Sequence, residues 1–318
     1  MKKWAMAILV LAMLAVLAAC GAEEEATDSQ TADAQTTEAE TMTVTHELGE
    51  TEVPKNPEKV VVFDFGILDT LDQLSVESVA GVAQGNIPTY LEKYEDTEKY
   101  ENIGTLKEAD FEAIHAMDPD LIIISGRQAE MYSEFSEIAP TIHLGVDTTD
   151  YMSSFTTNME TVGEIFGKEA EVEEELTAIN EQIEGVKEKT STSDEKGLIV
   201  LANEGKVSAY GAASRFGIIH DVFGVKQADE GIEASTHGQS ITYEYILDTN
   251  PDVMFVVDRN AAVGNEASAK DSLENELVQK TNAYQNDNII YLDPDYWYLS
   301  GGGLQSVSEM VNAIESAF

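Results

Sequence analysis

Short apolar runs alternate with segments of helical period along most of the chain. Each run is bounded by turn-forming residues, which is typical of buried strands in an α/β fold. The predicted strands are Val60–Phe63, Val79–Val82, Leu121–Ile124 and Thr141–Leu144 in the first half, and Leu198–Ala202, Val207–Tyr210, Val253–Val257 and Ile289–Leu292 in the second. The pattern therefore predicts two α/β units in succession.

A segment of a different kind lies between the halves. From Phe155 to Val186 the apolar positions recur every three or four residues, which predicts a helix. Gly167-Lys168 is expected to interrupt it, leaving a second piece over about Glu169–Lys189. At 1.5 Å per residue that piece is roughly 30 Å long, enough to join two lobes.

An internal repeat supports two similar units. Asp110–Arg127 matches Thr242–Arg259 at a constant offset, so that Glu112 aligns with Glu244 and the two Pro-Asp turns coincide. Each copy predicts a helix with an Asp or Thr N-cap, a turn and a buried strand. The repeat favours a pseudo-symmetric protein with two lobes. The alternative is a chance similarity of two common helix-turn-strand units.

The amino terminus predicts export and lipidation. Two lysines precede the apolar run Trp4–Ala19, which is shorter than the about 20 residues that a membrane-spanning helix needs. The run ends in Leu-Ala-Ala-Cys-Gly, the pattern of a bacterial lipobox, and Cys20 is the only cysteine in the chain. We predict a signal peptide at 1–19 and a lipidated Cys20 that carries a membrane anchor such as palmitate. The alternative is an ordinary secreted signal with an incidental cysteine.

The rest of the chain is long enough for two lobes. Residues 20–41, rich in Ala, Glu and Thr, contain no aromatic residue and predict a disordered tether. The remaining roughly 275 residues match two domains of ordinary size. We predict an N-terminal lobe at 42–166, an interlobe helix at 167–190 and a C-terminal lobe at 191–318.

The net charge limits the possible partners. The formal charge is -42, and loss of the two signal lysines leaves 16 of the 18 basic residues against 60 acidic ones, or -44. Such a field argues against nucleic acid and against binding along an anionic membrane surface. It favours adaptation to high salt or high external pH, between which composition does not choose.

Three arginines stand out among 18 basic residues. Arg127, Arg215 and Arg259 each follow the carboxyl end of a predicted strand, and ligands bind at that edge of open α/β sheets. The planar guanidinium donates paired hydrogen bonds to carboxylate or catecholate oxygens. The arginines therefore predict an anionic ligand in a cleft. The alternative is that each pairs with one of the abundant carboxylates.

Further candidates flank the same edge. Tyr210, Trp297 and Tyr298 could stack on a ligand ring or support an arginine by cation-π contact, or could simply pack in the lobes. The five histidines lack the spacing of a metal site, and only His237 is expected to reach the ligand. No catalytic cysteine, nucleophile elbow or phosphate loop is present, so the sequence does not predict an enzyme.

Several motifs, spread in order over nearly the whole chain after the tether, carry a resemblance to a known family. The chain resembles the iron-siderophore-binding lipoproteins of ABC importers. Within that family it is most similar to the petrobactin-binding members from bacilli. These motifs are Lys59–Gly66, Gly104–Asp110, Pro119–Ile124, Ser235–Ser240 and Trp297–Gly303. The resemblance implies a bilobal periplasmic-binding-protein-like fold of the helical-backbone class, with two Rossmann-like lobes joined by one long helix. It also implies a monomeric receptor on the extracytoplasmic face of the cell membrane.

The resemblance also implies roles for particular residues. The family's ligand-facing arginines match Arg127, Arg215 and Arg259. Its paired glutamates, which dock onto the permease, resemble Glu112 and Glu244. The permease works with an ATPase. The siderophore supplies every iron ligand, so no metal-coordinating side chain and no cofactor are expected. Alternatives of the same fold are a cobalamin receptor, which would not need three arginines, and a haem receptor, which usually uses an axial His or Tyr. A lipid-anchored enzyme or adhesion protein is the alternative from another class.

Overall fold

The computed structural model describes residues 40–265 and 269–318. The predicted signal peptide, the predicted lipidation site Cys20 and the predicted tether as far as residue 39 lie outside the described residues. Thr41, placed at the end of the tether by the sequence, is already the first residue of a strand. It pairs with Pro54 across an antiparallel hairpin, because alternate residues of both strands are polar and the apolar Val44 and Val53 are buried.

The described residues contain thirteen strands in three sheets. They are β1 Thr41–His46, β2 Gly49–Pro54, β3 Val60–Val62, β4 Val79–Val82, β5 Glu101–Asn102, β6 Leu121–Ile124, β7 Thr141–His143, β8 Lys196–Asn203, β9 Lys206–Tyr210, β10 Lys226–Gln227, β11 Gln239–Ile241, β12 Val253–Asp258 and β13 Ile289–Leu292. All eight predicted strands are confirmed, with ends that shift by two residues at most. The β1–β2 hairpin and the short strands β5, β10 and β11 are additions.

The two larger sheets differ in strand direction. The N-terminal sheet has the order β5-β4-β3-β6-β7, and every pair in it is parallel. The C-terminal sheet has the order β11-β9-β8-β12-β13, with β10 also pairing with β8. Its strands β8, β12 and β13 are parallel, whereas β9 is antiparallel to β8. The α/β fold class is confirmed, and strands buried on both faces explain the unbroken apolar runs.

Eleven α-helices accompany the strands within the described ranges. They are α1 Phe65–Gln73, α2 Phe111–Met117, α3 Tyr132–Ser136, α4 Tyr151–Phe166, α5 Glu169–Thr192, α6 Ile218–Asp221, α7 Tyr243–Thr249, α8 Arg259–Ala262, α9 Ala269–Leu273, α10 Asn282–Gln285 and α11 Leu304–Glu315. Short 3-10 turns occupy Thr89–Glu95, Ala129–Met131 and Val278–Lys280, and a π-helical segment occupies Asp295–Ser300. Of the helices in these ranges, none is long and apolar enough to cross a membrane.

The break in the predicted long helix is confirmed. Gly167 ends α4 with a φ of +62°, a left-handed conformation that glycine adopts without steric cost. The second piece, α5, has 24 residues, and its buried side chains recur every three or four positions from Val172 to Val186. Each such buried aliphatic side chain contributes about 1.5–3 kcal/mol of transfer free energy. The α5 helix packs against α4 and α11, so it lies between segments from both halves of the chain.

A buried polar junction joins α1 to the start of α11. The Asp69 carboxylate accepts hydrogen bonds from the backbone N–H groups of Gln305 (3.0 Å) and Ser306 (2.8 Å). It also accepts one from the Tyr90 hydroxyl at 3.1 Å. The approach is so close that a Cβ at Gly303 would lie 2.2 Å from the carbonyl oxygen of Gly66. The junction satisfies N–H groups at a helix start, which otherwise lack partners.

Asp69 should make stability depend on pH. Burial raises its pKa from 3.8 to about 6, although the hydrogen bonds from Ser306, Gln305 and Tyr90 oppose the rise. The folded state therefore holds this proton more tightly than the unfolded state does. The resulting stabilisation is complete below about pH 3.8 and is lost as the pH rises through about 6. Two pKa units correspond to about 3 kcal/mol.

We expect this loss to appear as a difference between wild type and Asp69→Asn, whose amide imitates the protonated acid. Between pH 4 and pH 7 the free energy of unfolding of wild type should fall by about 2.4 kcal/mol relative to the variant. Urea unfolding followed by tryptophan fluorescence at a series of pH values measures it. Asp96→Asn is the comparison of opposite sign, because a hydrogen bond from Lys99 lowers the pKa of Asp96, so that wild type should not lose stability relative to this variant as the pH rises. A difference that stays constant over this range would contradict the prediction.

Candidate functional site

A cleft of about 1280 Å³ is lined by residues from both halves of the described chain. The N-terminal half contributes residues that follow β6 and β7, together with the inner face of α4. The C-terminal half contributes Arg215, Arg259 and residues 297–301, which precede α11. Pockets for drug-sized molecules usually occupy about 300–1000 Å³, so this cleft suits a larger ligand.

Arg127 enters the cleft from the turn after β6. Gln128, which is fully buried, holds that turn: its Oε1 accepts from Ser125 N at 3.3 Å and its Nε2 donates to the Leu106 carbonyl at 2.6 Å. The Arg127 side chain is exposed, and its Nη2 donates to the carbonyl oxygen of Tyr298 at 3.3 Å. The N-terminal half thus contributes one guanidinium group that reaches across to the C-terminal half.

Arg215 is held more tightly. Its Nη2 donates to the same Tyr298 carbonyl at 2.7 Å, and its guanidinium carbon lies 4.2 Å from the centre of the Tyr298 ring. The Phe216 ring lies 5.3 Å away. Its loop is closed by the Ser214 hydroxyl, which donates to the Gly211 carbonyl at 2.5 Å. Two aromatic rings and one hydrogen bond therefore orient this guanidinium before any ligand arrives.

The sequence argument placed Arg215 at the same sheet edge as the other two arginines, and for Arg215 that placement is wrong. The strand before it, β9, runs antiparallel to β8, and its last residue Tyr210 pairs with Ile199 in the amino-terminal half of β8. The carboxyl end of β9 therefore does not lie beside that of β12. Arg215 nevertheless reaches the cleft, because the loop at 211–217 and a long side chain carry it to Tyr298.

Arg259 begins α8 directly after β12, as predicted. The Asp258 side chain caps this helix by accepting from Ala261 N at 3.2 Å. The Arg259 Nε donates to the Tyr298 hydroxyl at 3.0 Å, and its Nη1 donates to Asn203 Oδ1 at 3.0 Å. All three arginines of the chain therefore make a hydrogen bond to one residue, Tyr298.

Among the described residues, no acidic side chain forms a salt bridge with the three arginines. The alternative of surface ion pairs is thus contradicted for this part of the chain, although it carries dozens of acidic residues. Within the described residues, three guanidinium groups therefore face a shared cleft without an acidic partner, which is consistent with the predicted anionic ligand.

The pKa values reflect this crowding of charge. Burial lowers the pKa of Arg215, and repulsion from Arg127 lowers it further. Burial alone would raise the pKa of the Tyr298 hydroxyl, but attraction to Arg215 and the hydrogen bond from Arg259 bring it below its ordinary value. The cluster therefore stabilises negative charge in the cleft.

The other predicted aromatic residues and His237 lie in different surroundings. Trp297 is 3 % exposed and packs in the core, so only a small part of it lines the cleft. Tyr210 is 2 % exposed and is not among the lining residues, because its ring packs 4.7 Å from that of Phe216 and against Gly238. His237 is exposed and lines the cleft. The structure brings Trp297 and His237 to the cleft and leaves Tyr210 behind it.

Glu112 and Glu244 occupy equivalent positions in the two halves. Both are exposed in the first turn of their helices, α2 and α7, whose N-caps are Asp110 and Thr242. Both helices end in a left-handed residue and lead into a strand, β6 or β12. Neither glutamate lines the cleft. The repeat is thus structural, and it presents one carboxylate from each half to solvent.

Sequence reasoning missed several lining residues on the N-terminal side. Lys107 and Asp64 lie inside two of the motifs, Gly104–Asp110 and Lys59–Gly66, which include these lining residues. His143 and Tyr151 lie at the end of β7 and the start of α4, where nothing in their spacing indicates a site. In the described ranges, no group of three or more His, Cys, Asp and Glu side chains could hold a metal ion.

Comparison with known proteins gives concordant results. The petrobactin-binding protein YclQ of Bacillus subtilis (strain 168) is 51% identical over 318 residues, covering 99% of this chain and 98% of that protein. The crystal structure of YclQ superimposes with a TM-score of 0.85 at 53% identity, covering 87% of this chain and 98% of that chain. The ferric-anguibactin-binding protein FatB of Vibrio anguillarum is 33% identical over 276 residues, or 85% of each chain.

A sequence profile described as periplasmic binding protein matches residues 60–296. This span contains the N-terminal sheet, α5 and the C-terminal sheet, together with Arg127, Arg215 and Arg259. The chain belongs to the periplasmic binding protein family.

Proposed function

We propose that this chain is the extracytoplasmic, lipid-anchored receptor that binds an anionic ferric siderophore of the petrobactin type and delivers it to an ABC permease. The single observation that carries the proposal is the cluster of Arg127, Arg215 and Arg259 around Tyr298, without a carboxylate partner in the described residues. Catecholate and carboxylate oxygens of a ferric complex would accept charge-assisted hydrogen bonds from these donors.

The large negative charge of the chain does not oppose this ligand. At about 0.15 M salt the screening length is about 8 Å, and near 1 M it is about 3 Å, so distant surface carboxylates act weakly at the cleft. The guanidinium groups would act at hydrogen-bonding distance in a partly buried cleft. Local charge therefore outweighs net charge at the site of binding.

The printed functions of the relatives support the same class of ligand, since YclQ binds petrobactin and FatB binds ferric anguibactin. A receptor of this kind binds and releases its ligand unchanged, with every iron ligand supplied by the siderophore. Cys20 would carry the lipid anchor, and Glu112 and Glu244 would dock onto the permease. We also propose that 42–166 and 191–318 act as lobes about the helix at 167–190.

Fluorescence titration tests the proposal with a probe inside the site. Trp297 lies beside Tyr298, and apart from Trp4 in the predicted signal it is the only tryptophan. In a chain that begins at residue 21, ferric petrobactin should quench this emission at submicromolar concentration. Ferric citrate, a ferric tricatecholate, haem and cobalamin serve as comparison ligands. Saturable quenching by a ferric siderophore supports the proposal.

Two outcomes would reject the proposed ligand class. The first is the absence of quenching by every iron complex, provided that the circular dichroism spectrum shows a folded protein. The second is tighter binding of haem or cobalamin than of any ferric siderophore, which would favour the other receptor classes of this fold.

A further inference from the structure

The residue that accepts hydrogen bonds from all three arginines lies in a rare backbone conformation. Tyr298 belongs to the π-helical segment Asp295–Ser300, in which Gly301 N donates to the carbonyl of Tyr296, five residues back, at 2.9 Å. Single π-helical turns are uncommon and occur mostly at functional sites. An α-helical bond from Gly301 would instead reach the carbonyl of Trp297 and would change the direction in which Tyr298 points. The place of Tyr298 in the cleft therefore depends on the contacts that hold this segment.

Two neighbouring residues of the first 3-10 turn hold the π-helical segment at both of its ends. At the start, Thr89 donates to the Asp295 carboxylate from its backbone N–H at 2.8 Å and from its hydroxyl at 2.6 Å. At the end, the Tyr90 hydroxyl donates to Ser300 Oγ at 2.7 Å, and Ser300 Oγ donates to the Asp295 carbonyl at 2.7 Å. The Tyr90 ring also lies 4.6 Å from the ring of Tyr296. The turn thus contacts the first, second and last residues of the segment.

The 3-10 turn is itself fixed to α1. The Tyr94 hydroxyl donates to Asp72 Oδ1 at 3.1 Å, and Lys93 forms a salt bridge with the same carboxylate. The Tyr90 hydroxyl also donates to Asp69 at 3.1 Å, at the junction of α1 with α11. Burial raises the pKa of Tyr90, so its hydroxyl keeps the proton and remains a donor. The π-helical segment is therefore held from α1, through the turn.

Neither Thr89 nor Tyr90 lines the cleft, so an effect of either residue on a ligand must act through the π-helical segment. We propose that both are positioning residues for ligand binding, which hold this segment so that the carbonyl and hydroxyl of Tyr298 receive all three arginines. This inference rests on the proposed function. Tyr90 should contribute most of the effect, because its hydrogen bond to the segment is partly buried, whereas those of Thr89 are exposed and compete with water.

Tyr90→Phe separates positioning from packing, because phenylalanine keeps the ring against Tyr296 and loses only the hydroxyl. In a chain that begins at residue 21, this variant should bind ferric petrobactin about tenfold more weakly than wild type, as measured by quenching of Trp297 fluorescence. Tyr94→Phe is the matched control. It removes the same hydroxyl from the same turn, but the partner of that hydroxyl is Asp72 on α1 and not the π-helical segment. Its affinity should equal that of wild type.

A measurement without ligand follows the segment itself. Trp297 lies inside the segment and is 3 % exposed, so acrylamide should quench its emission poorly while the segment is held. The acrylamide quenching constant should rise in Tyr90→Phe, because a segment held by fewer bonds opens more often. It should keep its wild-type value in Tyr94→Phe.

A double-mutant cycle distinguishes positioning from a general loss of stability. If Tyr90 acts by placing the acceptor of Arg215, Tyr90→Phe should weaken binding about tenfold in the wild-type background and only about twofold in Arg215→Ala. Independent effects would multiply, and the loss would then be the same in both backgrounds.

Three results would overturn the inference while the proposed function stands. They are wild-type affinity in Tyr90→Phe, an equal loss of affinity in Tyr94→Phe, and losses that multiply in the cycle. If wild type binds no ferric siderophore, the proposed function fails instead. The acrylamide comparison then decides by itself whether Tyr90 holds the π-helical segment, and equal quenching in wild type and Tyr90→Phe would reject that role.

Discussion

Arg215→Ala is expected to weaken binding of ferric petrobactin about 100-fold, the largest loss among the three arginines. The Arg215 guanidinium is stacked on the Tyr298 ring, and burial lowers its pKa. Hydrogen bonds to charged groups contribute about 1.5–3 kcal/mol each, and 1.4 kcal/mol is a factor of ten in affinity. Arg259→Ala should cost less, and Arg127→Ala about tenfold, because Arg127 is exposed and better screened.

The measurement is quenching of Trp297 fluorescence, with circular dichroism to verify folding. Lys226→Ala is the control for loss of one positive charge, since Lys226 pairs with Asp194 and does not line the cleft. Arg215→Lys tests geometry, because lysine keeps the charge and loses the planar fork. Wild-type affinity in all three arginine variants would contradict their role in binding.

Glu112→Lys combined with Glu244→Lys is expected to abolish iron uptake by cells while leaving ligand affinity unchanged. Both carboxylates are exposed, and each occupies the first turn of a helix in the repeated unit. Charge reversal would replace attraction to a cationic permease surface by repulsion at two points, and like charges in an interface cost several kcal/mol. Neither residue lines the cleft, so binding should be independent of the change. Uptake of radiolabelled ferric siderophore measures the first effect and fluorescence titration the second.

A double variant on α5 provides a matched control. Glu169→Lys with Glu173→Lys changes the net charge by the same amount, and Glu169 is likewise an exposed acid in a first helical turn. Its uptake should equal that of wild type. Uptake that persists in the Glu112 and Glu244 variant would reject the docking role. A parallel loss of ligand affinity would indicate a folding defect instead.

The sequence predicted those features that depend on local chemistry. Continuous apolar runs located the eight predicted strands, because strands covered on both faces exclude polar residues. Gly167 located the end of α4, because only the backbone conformation that it allows terminates the helix there. The repeat predicted equivalent helical turns for Glu112 and Glu244.

The cleft was predicted in part. Arg127 and Arg259 follow parallel strands, so the strand-end rule placed them correctly. The strand-end rule failed for Arg215, because the apolar pattern of a strand does not show whether that strand pairs with its neighbour in a parallel or an antiparallel direction. The position of that arginine depends on hydrogen bonds between β8 and β9, which the composition of β9 does not determine.

By itself, then, the sequence determined the α/β class and the interrupted helix, and it predicted an anion site supplied by three arginines. Only the tertiary structure decided that all three arginines donate hydrogen bonds to Tyr298, that Tyr210 lies behind the cleft, and that Asp64, His143 and Tyr151 are among the lining residues. The physical reason is the separation along the sequence between the residues that determine each feature. The apolar patterns that predict strands and helices extend over near neighbours in the sequence, whereas Tyr298 lies 171 residues from Arg127, to which it is hydrogen-bonded. Such a contact exists only after both halves of the chain have packed.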